Sequence, residues 1–143
     1  MEADVGLKLK KISEGLGKKL NAKAKKFGLT FVQCRVLLYL YENAGRKVTQ
    51  RDIEEYLGAT HVTVSGIICR MKMHGFVRVE TDPSDRRAKN LSLTQTKHNM
   101  LEKMSAESGA VNEILTAGFS DEEREKLDEY LGRMYENVMA AEI

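Results

Sequence analysis

A chain of 143 residues, 42% apolar and 31% charged, can bury a core and is too apolar to be disordered. Aromatic residues make up 6% and Trp is absent, so a base-stacking platform for single strands is poorly supplied. No apolar run approaches the ~18 residues that a membrane span needs. The net charge is +2, but residues 45–98 hold ten Lys or Arg against six acids, and residues 99–143 hold four against eleven. A basic middle and an acidic end suit a protein that grips phosphate with one side, although ordinary solvated helix faces give the same split. The start, MEADVGLKLKK, lacks the hydrophobic region of an export signal. The two cysteines fit no metal spacing, so a reducing cytoplasm is the expected location.

In chain order, Val5, Leu9, Ile12, Leu16 and Leu20 recur at steps of three and four and predict a helix over residues 5–27. Gly15 and Gly17 weaken it, and Gly28 ends it. Thr30 with Gln33 predicts a capping box for a second helix. Its stripe is Phe31, Cys34, Leu37, Leu38 and Tyr41, and it stops before Gly45. Residues 46–48 suit a short strand. Thr49 with Asp52 caps a short third helix, whose Ile53 and Leu57 lead to Gly58. The fourth helix opens at Thr60 after only Gly58 and Ala59. Two short helices joined so tightly read as a helix-turn-helix.

Beyond Gly75 come alternating segments. Phe76, Val77 and Val79 precede a charged turn, and Leu91 and Leu93 follow it. Helix, strand, arginine-tipped turn and strand compose a winged helix. Thr94 is expected to open one long helix with Leu101, Met104, Val111 and Leu115 on a face. Ser120 with Glu123 caps the last helix, which carries Leu127, Leu131, Met134 and Val138.

The fold expected is therefore mainly α with a small β-wing. A winged helix-turn-helix lobe spans residues 30–94, flanked by terminal helices over 1–29 and 95–143. The terminal apolar stripes exceed what so small a core can use, so they predict a homodimer. In it Leu9, Ile12 and Leu16 are expected to meet Leu131, Met134 and Val138 of the same or another chain. Two recognition helices would then reach half-sites ~34–36 Å apart on double-stranded DNA.

On the fourth helix Val64, Ile67, Ile68 and Met71 point inward. Val62, Ser65, Gly66, Cys69 and Met73 point outward, with His61 on one flank and Thr63 and Arg70 on the other. Thr60, His61, Thr63 and Ser65 occupy the turns that enter a major groove, where hydroxyls and imidazole can serve base edges or phosphates. The bland alternative is a cap and a solvated face. Val62 suits a thymine methyl, whereas Gly66 offers no reading group. Arg70, Arg86, Arg87 and Lys89 are candidate DNA contacts, and Arg78 is ambiguous. Asp82 and Asp85 could instead hold both wing arginines in a structural turn. His74 and His98 share no ligand spacing, so no metal site is expected. Cys34 reads as a buried thiol, and Cys69 as outward-facing, either inert or a redox switch. No phosphate loop, nucleophile elbow or paired His–acid motif is present, so neither catalytic residues nor a cofactor are expected.

Residues 60–77, THVTVSGIICRMKMHGFV, and 82–94, DPSDRRAKNLSLT, resemble the recognition helix and the Asp-Arg wing of the MarR family of bacterial regulators. In helix order the resemblance covers nearly the whole chain. This sequence departs from the family pattern at Gly66, where an Arg is frequent, and at Lys97, where a Gly is frequent. The resemblance implies a winged-helix dimer on a pseudo-palindromic operator, repressing until a small ligand such as a phenolic acid, or cysteine oxidation, releases it. It also implies that one wing Arg pairs with an Asp while another reaches DNA. The resemblance places the ligand between the dimer helices and the helix-turn-helix; Tyr39 and Tyr41 are nearby polar-aromatic candidates, with ordinary core as the alternative for each. A redox-controlled regulator using Cys69, and a winged helix serving protein contacts only, are the alternatives.

Overall fold

The computed structural model describes residues 3–94 and 98–142 and divides into two compact units, residues 1–106 and 107–143. In the first unit, α1 (Val5–Ala24) starts at Asp4, whose carboxylate accepts from the Leu7 amide at 2.8 Å. It runs unbroken through Gly15 and Gly17 into a single 3-10 turn, Lys25–Phe27, which Gly28 closes with φ +74°. Glycine alone enters that left-handed region without a Cβ penalty.

The capping box of Thr30 and Gln33 is formed in full and opens α2 (Phe31–Glu42). Asn21 of α1 accepts from the Phe31 amide at 2.9 Å and fixes the entry angle of α2. The buried face of α2 is wider than the single stripe expected. Cys34 and Leu37 are buried, but so are Val36 and Leu40, while Phe31, Leu38 and Tyr41 stay partly exposed. The cause is position: α2 packs against α1 and against strand residues 89–93 at once, so two faces leave water.

Next come β1 (Val48–Thr49), α3 (Gln50–Leu57) and α4 (His61–Met73). A helix of eight residues is too short to persist alone. Three features hold α3. Thr49 and Asp52 form a reciprocal cap, which contributes about 1 kcal/mol. Ile53 is completely buried. Gly58 at φ +63° lets the chain turn at once into α4, its amide and that of Ala59 returning to the last carbonyls of α3.

Strands β2 (Val77–Thr81) and β3 (Lys89–Leu93) pair antiparallel with Val79 opposite Leu91, and β1 joins the far edge of β3 with Val48 opposite Leu91. The order is β1-β3-β2. Val64, Ile68 and Met71 of α4 are buried as the helical wheel predicts, with Ile67 partly covered. They share one core with Val36, Leu37, Ile53, Leu91 and Leu101.

The one long helix expected to carry Leu101 through Leu115 is broken into two. The Thr94 hydroxyl closes the wing, donating to the Gly75 carbonyl at 2.5 Å and to that of Phe76, and the helix start expected directly after it falls on residues 95–97, outside the described residues. Lys97 lies outside the described residues. Helix α5 (His98–Glu107) buries Leu101 and Met104 and stops before Ser108-Gly109. Those two residues are weak helix formers, one competing for backbone hydrogen bonds and the other costly in entropy.

The second unit contains α6 (Ala110–Leu115) and α7 (Asp121–Ala140). Ser120 caps α7 by accepting from the Glu123 amide, and Asp121, Glu122 and Glu123 favour its positive N-terminal end. Among the described residues no helix is long and apolar enough to cross a membrane.

Candidate nucleic-acid interface

The tight turn at Gly58 presents the first turns of α4 to solvent. Thr60 caps that helix, accepting from the Thr63 amide at 3.3 Å and donating to the Thr63 hydroxyl at 3.0 Å. Its hydroxyl is thus engaged within the chain, while Thr63 and His61 remain exposed. Val62 stands 80% exposed between them, a position that gains nothing from water and suits an apolar contact.

The wing is held from its base. Asp82 is 5% exposed and accepts from the Ser84 amide (2.8 Å), the Ser84 hydroxyl (2.7 Å) and the Asn90 amide group (3.2 Å), and it pairs with the Lys47 ammonium. Lys47, followed by these hydrogen bonds, holds the Asp82 carboxyl well below the usual carboxylate range. Asp85 accepts from the Arg87 amide at 3.0 Å and fixes the tip. The expected Asp–Arg pair is therefore absent among the described residues. Lys47 is the cation that meets Asp82, and neither wing guanidinium makes an ion pair. Both aspartates are consumed by the turn, which leaves Arg86 and Arg87 exposed with their charges directed to solvent.

An open groove of about 660 Å³ joins the two elements. His61 and Ser65 of α4 line one side, Arg87 and Lys89 of the wing line another, and Gln50, Arg51 and Glu54 of α3 complete it. Four of the expected contacts thus share one concavity, with Thr60, Thr63 and Arg86 at exposed positions on the same two elements. Arg70 is separate. It sits in the last turn of α4 beside a small recess lined by Gly28, Leu29, His74 and Phe76.

No sequence motif marks Gln50, Arg51 or Glu54 as part of this groove. The Gln50 amide nitrogen lies 2.8 Å from the Ser65 hydroxyl and 3.2 Å from His61 Nδ1, and Glu54 Oε1 lies 2.9 Å from that same Nδ1. Gln50 and Glu54 are four residues apart, hence on one face of α3. That spacing is the signal that could have revealed them.

Cys34 is buried, and burial pushes its thiol up, away from the reactive thiolate. Cys69 is exposed and free. Tyr39 stacks on Tyr56 with centroids 4.5 Å apart, and its hydroxyl accepts from Arg46 at 2.6 Å. Tyr41 faces His98 at 5.8 Å.

The sequence model of the MarR family matches residues 27–88, the stretch holding α2 to the wing tip. The uncharacterized HTH-type transcriptional regulator YwoH of Bacillus subtilis (strain 168) is 32% identical over 120 residues, 84% of this chain and 85% of that protein. YybA of the same organism, also an uncharacterized HTH-type transcriptional regulator, is 26% identical over 127 residues, covering 89% and 83%. Among solved structures, S. aureus MepR in complex with DNA superposes with a TM-score of 0.85 at 26% identity, covering 96% of this chain and 99% of MepR. The transcription regulator MarR from Oenococcus oeni PSU-1 gives 0.82 at 28%, covering 93% and 99%. Architecture, groove and relatives agree: the chain belongs to the MarR family of winged helix-turn-helix transcriptional regulators, a family of regulators and not of enzymes.

Proposed function

We propose that this regulator binds double-stranded DNA sequence-specifically as a homodimer, with α4 in the major groove and the wing on the neighbouring backbone or minor groove. The observation that carries the reading is the shared groove, where the polar first turns of α4 and the cationic wing converge. Thr60, His61, Thr63 and Ser65 are the proposed base or phosphate contacts, and Arg86, Arg87 and Lys89 the phosphate contacts. Arg70, outside the groove, is proposed for flanking phosphate only. MepR, solved on DNA, shares this architecture over nearly its whole length.

Dimerisation is supported by apolar surface that each unit leaves open. Val5, Leu9 and Ile12 of α1 and Leu131 and Val138 of α7 are exposed in the single chain, and burying them would contribute at about 25 cal/mol per Å². The terminal helices, 1–29 and 95–143, are the proposed dimerisation elements, and residues 30–94 the DNA lobe.

The regulatory step we propose is repression relieved by a small ligand that favours one spacing of the two DNA lobes. Titrating the purified chain against random duplex DNA at low and high salt tests the binding. Affinity that falls steeply with salt supports it, and a chain that binds no duplex in low salt contradicts it. Calorimetry with salicylate-like acids tests the effector class. Heat of binding together with loss of DNA affinity supports a phenolic effector, and neither effect excludes that class.

A further inference from the structure

Glu54 of α3 has one hydrogen-bonding partner for its side chain among the described residues, the Nδ1 of His61 at 2.9 Å. That side chain is only 18% exposed, whereas the imidazole is 74% exposed. A carboxylate can only accept, so the hydrogen belongs to Nδ1. The Gln50 amide nitrogen, 3.2 Å from Nδ1, then cannot donate to it and gives its hydrogen to the Ser65 hydroxyl at 2.8 Å. Ser65, accepting from Gln50, has its own hydrogen left for His61 Nε2 at 3.5 Å. The donors run in one direction: Gln50 to Ser65, Ser65 to His61, His61 to Glu54. The link from Ser65 to Nε2 is long and weak, so the Nε2 lone pair remains open to a stronger donor. The other charged groups of the groove, Arg51, Asp85, Arg87 and Lys89, make no ion pair with the ring.

We infer that Glu54 is a positioning residue for base reading: by keeping the hydrogen of His61 on Nδ1, it presents Nε2 as an acceptor to the major groove. This rests on the DNA-binding reading above. An acceptor there selects a base offering an exocyclic amine, cytosine N4 or adenine N6, and disfavours guanine, whose N7 and O6 only accept. Without Glu54 the ring is free to carry its hydrogen on Nε2, which reverses the preference.

Two measurements on the full chain test this. Nitrogen-15 NMR of the imidazole in the free protein at pH 8 should show Nδ1 protonated and Nε2 bare. Glu54→Ala should move the hydrogen to Nε2, and Glu54→Gln, whose amide oxygen still accepts, should restore the original form. Selection of bound duplexes from a random pool should give cytosine or adenine at one position per half-site for wild type and Glu54→Gln. His61→Ala should erase that preference, and Glu54→Ala should shift it toward guanine by about tenfold. A wild-type ring protonated on Nε2, or on both nitrogens, overturns the inference. So does a Glu54→Ala protein that selects the wild-type base while His61→Ala does not. If wild type enriches no duplex at all, the DNA-binding reading itself has failed, and this inference with it.

Discussion

Replacing Arg86 and Arg87 together by Ala should change how DNA binding responds to salt while leaving the fold intact. Both side chains are exposed and make no ion pair among the described residues, and the wing is held instead by Asp82 through Lys47, Ser84 and Asn90. Deleting one cation that neutralises a phosphate lowers the slope of log K against log salt by about 0.9. Two such arginines per wing therefore remove about 1.8 from the slope. Between roughly 50 and 200 mM salt, the fourfold rise should cost the variant about 12-fold less affinity than wild type for each engaged wing. With both wings of a dimer engaged, the difference grows to about 150-fold. Fluorescence anisotropy with a labelled random duplex at four salt concentrations measures both slopes, and thermal unfolding checks that the variant melts with wild type. Parallel lines for the two proteins would mean that neither arginine neutralises a phosphate and that the wing tip is purely structural.

Sedimentation at micromolar concentration should report about twice the 16.1 kDa chain mass, and Ile12→Glu with Val138→Glu should shift it to monomer; a wild-type monomer would end the dimer proposal. Asp82→Asn should lower the melting temperature at pH 7. The folded Asp82 carboxyl sits below its unfolded value, so its stabilisation is full above the ordinary carboxylate range of about 4 and fades as pH falls through the folded value. The gap between wild type and Asp82→Asn should accordingly be constant from pH 5 to 8 and close only in stronger acid; a gap that closes near pH 6 would contradict this. Cys69 lies nine residues beyond Thr60, roughly 13 Å along the helix axis. Peroxide should therefore leave DNA affinity unchanged in wild type and Cys69→Ser alike, and weaker binding in wild type alone would make the thiol the switch.

The local signals are readable because each needs only neighbours in sequence. Thr30 with Gln33, Thr49 with Asp52, and Ser120 with Glu123 cap their helices as their spacing predicts. The alternation of Val77, Val79, Leu91 and Leu93 gives the two wing strands. What escapes depends on packing between distant segments. Val36 and Leu40 look peripheral on one stripe, yet α2 is covered from two sides. Lys47 reaches Asp82 because β1 pairs with β3 in a register that brings Thr49 opposite Asn90, which the sequence does not display. Glu54 and Gln50 matter only once the turn at Gly58 folds α4 back beside them. The break at Ser108-Gly109 is a local signal, masked by the apolar spacing that continues past it.

Sequence-specific recognition of DNA by a symmetric pair of these chains can be put to one decisive trial. Bound duplexes are selected from a random pool with the wild-type protein, and what is retained is sequenced. Two inverted half-sites should emerge, their centres about one helical turn, ~10–10.5 base pairs, or a multiple of it apart. Retention of DNA with no enriched sequence, or of a single site lacking two-fold symmetry, would contradict such recognition.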